Sequence, residues 1–165
     1  MSGVERFRHG DNLTTHFGTQ KAARDRAKVR NSKIVYPVLL NIDHLYDIED
    51  ESAWGGSILL TCLVEKKIIS NNDADEIKKG AQKVLKDLMG FTDLEQSYIL
   101  QKEYSRLIEE YLKKINIKNV GFQYVNKVED KGSTSYAVLD PEQIYILGSN
   151  IDVKNFKDFI KKHKK

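Results

Sequence analysis

Glu129 and Asp130 stand side by side ahead of Gly132 and the hydroxyl run Ser133, Thr134, Ser135 and Tyr136, in the stretch NKVEDKGSTSYAVLDPEQI. Carboxylates held close together repel. That raises one of their pKa values and suits the pair to acid/base work or to stabilising a developing positive charge. The same composition also makes a solvated acidic turn between two strands. Two other places carry polar residues that folding alone does not require. In RHGDN, His9-Gly10 ends a short candidate strand; the glycine admits a close backbone or ligand, and the histidine can donate to a hydroxyl or carbonyl. In THFGTQKAA, Phe17-Gly18-Thr19 stands at the start of a helix, where free N–H groups receive anions and an aromatic ring offers a stacking wall. Each has a plainer alternative, an exposed turn histidine for His9 and a hydrophobic staple for Phe17.

The elements that would hold these spots follow from periodicity and breakers. Residues 4–7 (VERF) read as a strand, and residues 19–31 as a helix capped by Thr19 or Thr15 and closed by Asn31. Residues 33–42 (KIVYPVLLNI) are β-branched and apolar, which predicts a buried strand with Pro37 at an edge or bulge. An acidic loop then leads into a helix capped by Ser52 or Asp50 near Trp54, weakened in its first turn by Gly55-Gly56. Two more helices follow. One carries Ile77, Ala81, Val84, Leu85 and Leu88 on one face and stops at Gly90; the other is capped by Thr92 or Asp93. Three strands, VGFQYVNKV, TSYAVLD and QIYILGS, precede a basic terminal helix from about residue 152. Strands gathered late in the chain favour an α+β fold over a doubly wound parallel sheet.

With 165 residues, 40% hydrophobic and 31% charged, the chain is expected to form one domain over 1–150, with 151–165 as a basic helix or tail. A net charge of +3 is a mild excess, drawn from Lys21, Arg24, Arg26, Lys28 and Arg30 and from the KKHKK tail. Such surfaces attract phosphates, though a solvated helix face is the commoner explanation. Cys62 is the single cysteine, so an internal disulfide is excluded, and its apolar neighbours mark a core residue rather than a nucleophile. The start of the chain has no apolar signal-like segment and no run reaches membrane-span length, so a soluble, cytoplasmic protein is expected. Dinucleotide-binding and P-loop glycine motifs are absent, as is metal-ligand spacing, which removes the Rossmann, P-loop and zinc-hydrolase readings. No metal is expected. Tyr36, Trp54, Tyr124 and Tyr136 lie in apolar segments and read as core, with Tyr124 and Tyr136 the two nearest the acidic stretch.

Taken together, RHG, HFGTQKAARDR, YPVLLNI…YDIEDESAW and VEDKGSTSYAVLDPEQI resemble the ADP-ribosyltransferase superfamily. The likeness is to its small phage- and mobile-element-associated branch, including domains of polyvalent proteins and phage anti-CRISPR ADP-ribosyltransferases. It spans most of residues 6–146, leaving out the generic helices at 73–115 and the terminal helix. The resemblance implies a split antiparallel or mixed β-sheet core with an inserted helical segment at about 52–115. It also implies NAD as substrate, with His9 and Gly10 on the ribose or adenosine part and Phe17, Gly18 and Thr19 around the nicotinamide. Glu129 or Asp130 would hold the nicotinamide-ribose hydroxyl. Ser135 stands where the H-Y-E type of the superfamily carries its glutamate, beside Tyr136, and both would line the NAD site.

The implied activity is transfer of ADP-ribose to a macromolecular target, protein or nucleic acid, in phage–host or toxin-type conflict. Cleavage of the nicotinamide–ribose bond passes through an oxocarbenium-like state that a carboxylate stabilises. Water as acceptor would make the same site an NAD glycohydrolase. Two other classes stay open: a catalytically inactive module binding a host protein, and a nucleic-acid-associated protein using the basic helix at 19–31 with the lysine tail.

Overall fold

The computed structural model describes residues 15–50, 56–85 and 90–163. His9 and Gly10, the expected strand at 4–7, and Ser52, Trp54 and Leu88 lie outside the described residues. The elements run β1 (Thr15–Phe17), α1 (Gln20–Val29), β2 (Val38–Leu40), β3 (His44–Asp47), α2 (Gly56–Glu65) and α3 (Asn71–Leu85). They continue as α4 (Asp93–Lys114), β4 (Val120–Val125), β5 (Thr134–Val138), β6 (Ile144–Ile146) and α5 (Asn150–His163). Four strands form one sheet in the order β1-β5-β4-β3, and β2 pairs with β6 in a second. Among the described residues only β3 and β4 run parallel; the other pairs are antiparallel. The fold is therefore mixed α+β.

Alternation along β4 explains which side of the large sheet is covered. Val120, Phe122 and Tyr124 point to one face, where they join Ala137 of β5 and the helical side chains Leu59, Leu60, Leu63, Ile77, Ala81, Ile108 and Leu112. The α2 sequence GSILLTCLVE is apolar nearly all round because α2 packs against both α3 and α4, and Cys62 is buried with it. α4 starts at a capping box, Thr92 accepting from the Glu95 amide while Glu95 accepts from the Thr92 amide, so of the two caps the sequence offers, Thr92 and Asp93, it is Thr92 that serves.

Two strand expectations change. Residues 33–42 were expected as one buried strand, but the ladder covers only Val38–Leu40, and Leu39 is exposed. Pro37 has no N–H to donate; its carbonyl accepts from the Leu147 amide and pairing begins directly after it, against β6 alone. β3 forms inside what reads as an acidic loop. Its HLYD segment is held by parallel pairing to β4 and by side-chain bonds at both ends, Asn119 to Asp43 and Gln123 to Asp47, each 2.6 Å.

The two sheets are joined by Gln143. Buried on the turn between β5 and β6, its amide nitrogen donates to the carbonyls of Asn41 and Val120, both at 3.0 Å, and its amide oxygen accepts from the Asp140 N–H. Gly121 allows the close approach: a Cβ there would lie 2.5 Å from Ile42 Cδ1. α5 is fixed to β6 by the buried Asp152 carboxylate, which accepts from the Ile146 amide, and by Tyr145 packing on Phe156. Among the described residues no helix is long and apolar enough to cross a membrane.

Candidate functional site

The acidic stretch forms the loop from Asn126 to Ser133 between β4 and β5, organised by one buried side chain. The Asn126 amide oxygen accepts from the backbone N–H groups of Val128, Glu129 and Asp130, an Asx-type arrangement that folds the loop over its own start. Closure comes from the Gly132 amide on the Asn126 carbonyl and the Asn126 amide on the Ser133 carbonyl, with Gly132 at φ +86°. Only glycine takes that backbone conformation without strain.

The carboxylates leave this loop toward different partners, both on α1. Asp130 accepts a 2.5 Å bond from the Thr19 hydroxyl and lies 3.3 Å from Lys21 Nζ. Glu129 accepts from the Asn126 amide nitrogen at 3.2 Å and meets the Arg26 guanidinium at 3.5 Å, while its carbonyl accepts from Lys21. The expectation of mutual repulsion with a raised pKa fails for Asp130. The Thr19 hydroxyl, and after it the Lys21 ammonium, hold its carboxyl below the ordinary value, because both stabilise the charged form. Lys21 is raised in turn, first by its bond to Asp130. The anion beside the start of α1 is the chain's own Asp130, held there by the Thr19 hydroxyl and the Lys21 side chain. Thr19 is the N-cap, accepting from the Ala22 amide.

Strand register decides which other candidates meet. Ser135 is buried opposite Tyr124 of β4, and on its other side a Cβ on Gly18 would fall 3.0 Å from its hydroxyl. Phe17 and Tyr136 are cross-strand partners one residue along, so they share the opposite face of the sheet. Phe17 ends β1 and sits two residues before the cap; the staple position just before the N-cap is Gly18. Phe17, Gly18, Thr19, Glu129, Asp130, Ser135 and Tyr136 all gather at one end of the β1-β5-β4 sheet, divided between its faces.

Four participants escaped the reading of the sequence. Asn126 ties Ser135 to Glu129, Arg26 faces Glu129, and the buried Asp50 carboxylate anchors the loop by accepting from the Lys127 amide at 3.0 Å. His16 is the fourth, with Nδ1 2.9 Å from the Tyr124 hydroxyl. Burial, and after it the charge of Asp50, pushes the Tyr124 phenol up to about 12. Asn126 had a local signal, since an asparagine opening a loop commonly binds backbone N–H groups two residues on. The other three have none, because their partners are distant in sequence.

Among the described residues no group of three or more His, Cys, Asp or Glu is arranged to hold a metal ion. The chain has no significant match among family models, curated proteins or solved structures.

Proposed function

We propose that the chain is a mono-ADP-ribosyltransferase, which cleaves the nicotinamide–ribose bond of NAD and passes ADP-ribose to a macromolecular acceptor in phage–host or toxin-type conflict. The observation that carries this reading is convergence. The two segments that resemble the superfamily's nicotinamide wall and carboxylate loop lie more than a hundred positions apart in the chain, yet they touch through Thr19 and Asp130. In this reading Glu129 does the chemistry. Its carboxylate accepts from the ribose 2′-hydroxyl and offsets positive charge as the C1′–N bond breaks and the bonding pair leaves with nicotinamide. The acceptor's nucleophile then bonds to C1′ and gives up its proton to solvent or to a carboxylate. Asp130, committed to Thr19 and Lys21, secures the loop against α1.

One observation favours a second reading. Both carboxylates are engaged by the chain's own groups, Asp130 by Thr19 and Lys21 and Glu129 by Arg26 and Asn126, as in a structural clasp. An inactive module that binds a host protein or nucleic acid would look the same. Incubation with labelled NAD in a lysate separates the two. A labelled protein or nucleic acid supports transfer, and free ADP-ribose alone makes the chain an NAD glycohydrolase. No turnover supports the binding module.

A further inference from the structure

We propose that the acceptor of ADP-ribose is an unpaired base of a single-stranded nucleic acid, held by its phosphates along the outer side of α1. The proposal deepens the transferase reading and rests on it. Its basis is the placement of charge. Lys21, Arg24 and Lys28 recur at i, i+3 and i+7, so they share one side of α1, and all three are exposed. That side begins at the acidic loop, where Lys21 Nζ lies 3.2 Å from the Glu129 carbonyl and 3.3 Å from Asp130. Lys131, also exposed, follows Asp130 directly. These cations outnumber the two carboxylates among them, Asp130 and the Asp25 that pairs with Lys21 and Lys28. From Lys21 to Lys28 the side runs about 10 Å along the helix, a track rather than a point site for one anion.

The composition of the track selects the class of partner. Protein–protein interfaces centre on apolar and aromatic side chains and are poor in lysine. The exposed residues of α1 are Gln20, Lys21, Arg24, Lys28 and Val29, and the apolar one stands at the end farthest from the loop. A phosphate backbone needs no apolar centre, because cations bind it by displacing its counterions. The depth of the carboxylate selects the strand state. The Glu129 side chain is 13% exposed, against 64% for Lys21 and 77% for Lys28. A base paired and stacked in a duplex does not descend to a group so placed, whereas an unpaired base turns out of its strand and does. In the transfer, the C1′–N bond of NAD breaks and its electron pair leaves on nicotinamide. An N–H nitrogen of the base forms the new bond to C1′ with its lone pair and gives up its proton to Glu129 or to solvent.

The test incubates the purified wild type with labelled NAD and a mixed-sequence oligonucleotide of about 16 nucleotides, the upper end of single-strand site sizes. DNA and RNA are offered separately, each single-stranded or annealed to its complement, and nicotinamide release is followed in the same samples. A single strand should take up label, and its duplex at least about tenfold less. Binding of the same strand, read by fluorescence anisotropy without NAD, should weaken with salt. The slope of log K against log salt should be about −2 to −3, three or four phosphates at about −0.7 each. Arg24→Ala with Lys28→Ala should flatten that slope by about 1.4 and raise the oligonucleotide KM at least about tenfold. Lys78→Ala with Lys79→Ala removes the same charge from exposed positions on α3 and should change neither. Nicotinamide release with label on neither DNA nor RNA overturns the proposal, and so does label on a protein of a lysate instead. Equal labelling of duplex and single strand, binding that ignores salt, or equal losses in the two double variants also overturn it. Absence of nicotinamide release from the wild type under every condition removes the transferase reading, and the proposal with it.

Discussion

Glu129 and Asp130 are neighbours in sequence whose side chains serve different partners, because Asn126 binds three successive amides and turns the two carboxylates apart. Opposite charge and a hydroxyl, rather than each other, set the chemistry of Asp130. Its lowered pKa carries a definite sign for stability. The ionised carboxylate is favoured in the fold, so its contribution is present above the unfolded carboxyl's value and is lost as pH falls through the folded one. Asp130→Asn should therefore lower the urea midpoint at neutral pH, with the gap to wild type closing under strongly acid conditions. The effect should be small, since Lys21 is exposed and Asp130 only half-buried, so solvent screens the pair. An equal gap at every pH would show that Asp130 stabilises by shape alone.

At the scale of elements, the start of α1 does two jobs and the start of α4 does one. Thr19 and Thr92 are both N-caps, so replacing either by alanine should cost about 1 kcal/mol of stability, read by chemical unfolding. Only Thr19 also binds Asp130, so Thr19→Ala should additionally slow nicotinamide release, whereas Thr92→Ala should leave it unchanged. Equal effects on release would deny Thr19 a place at the site. Helices α1, α3 and α4 were legible because caps and apolar stripes are local signals, and β4, β5 and β6 because β-branched and aromatic runs are. β3 was not legible. Its side chains are mostly exposed and its pairing is parallel, so nothing local marks HLYD as a strand. The acidic loop and its carboxylates could be read from Glu129, Asp130 and Gly132 in order. The Arg26, Asp50 and His16 contacts could not, because each bridges residues that only the folded sheet brings together.

For the whole molecule, the two sheets hold one another through Gln143, and the loop that carries Glu129 depends on the β4-β5 pair which that link supports. Gln143→Leu keeps the volume but leaves the Asp140 amide and the Asn41 and Val120 carbonyls without this partner. Of these the Val120 carbonyl is buried, and a buried group so orphaned costs about 1–3 kcal/mol. Thermal unfolding should report a clear loss of stability, and a variant as stable as wild type would mean that the sheets are joined by apolar packing alone. The central claim is that this fold brings Glu129 to the ribose of NAD. Release of nicotinamide from NAD, quantified for the purified wild type and for Glu129→Gln at matched folded concentration, tests it most directly. The wild type should turn NAD over, and Glu129→Gln should be slower by about 10²–10³, the scale of one lost electrostatic contact in a transition state. No release above the buffer rate, or equal release by both proteins, would contradict it.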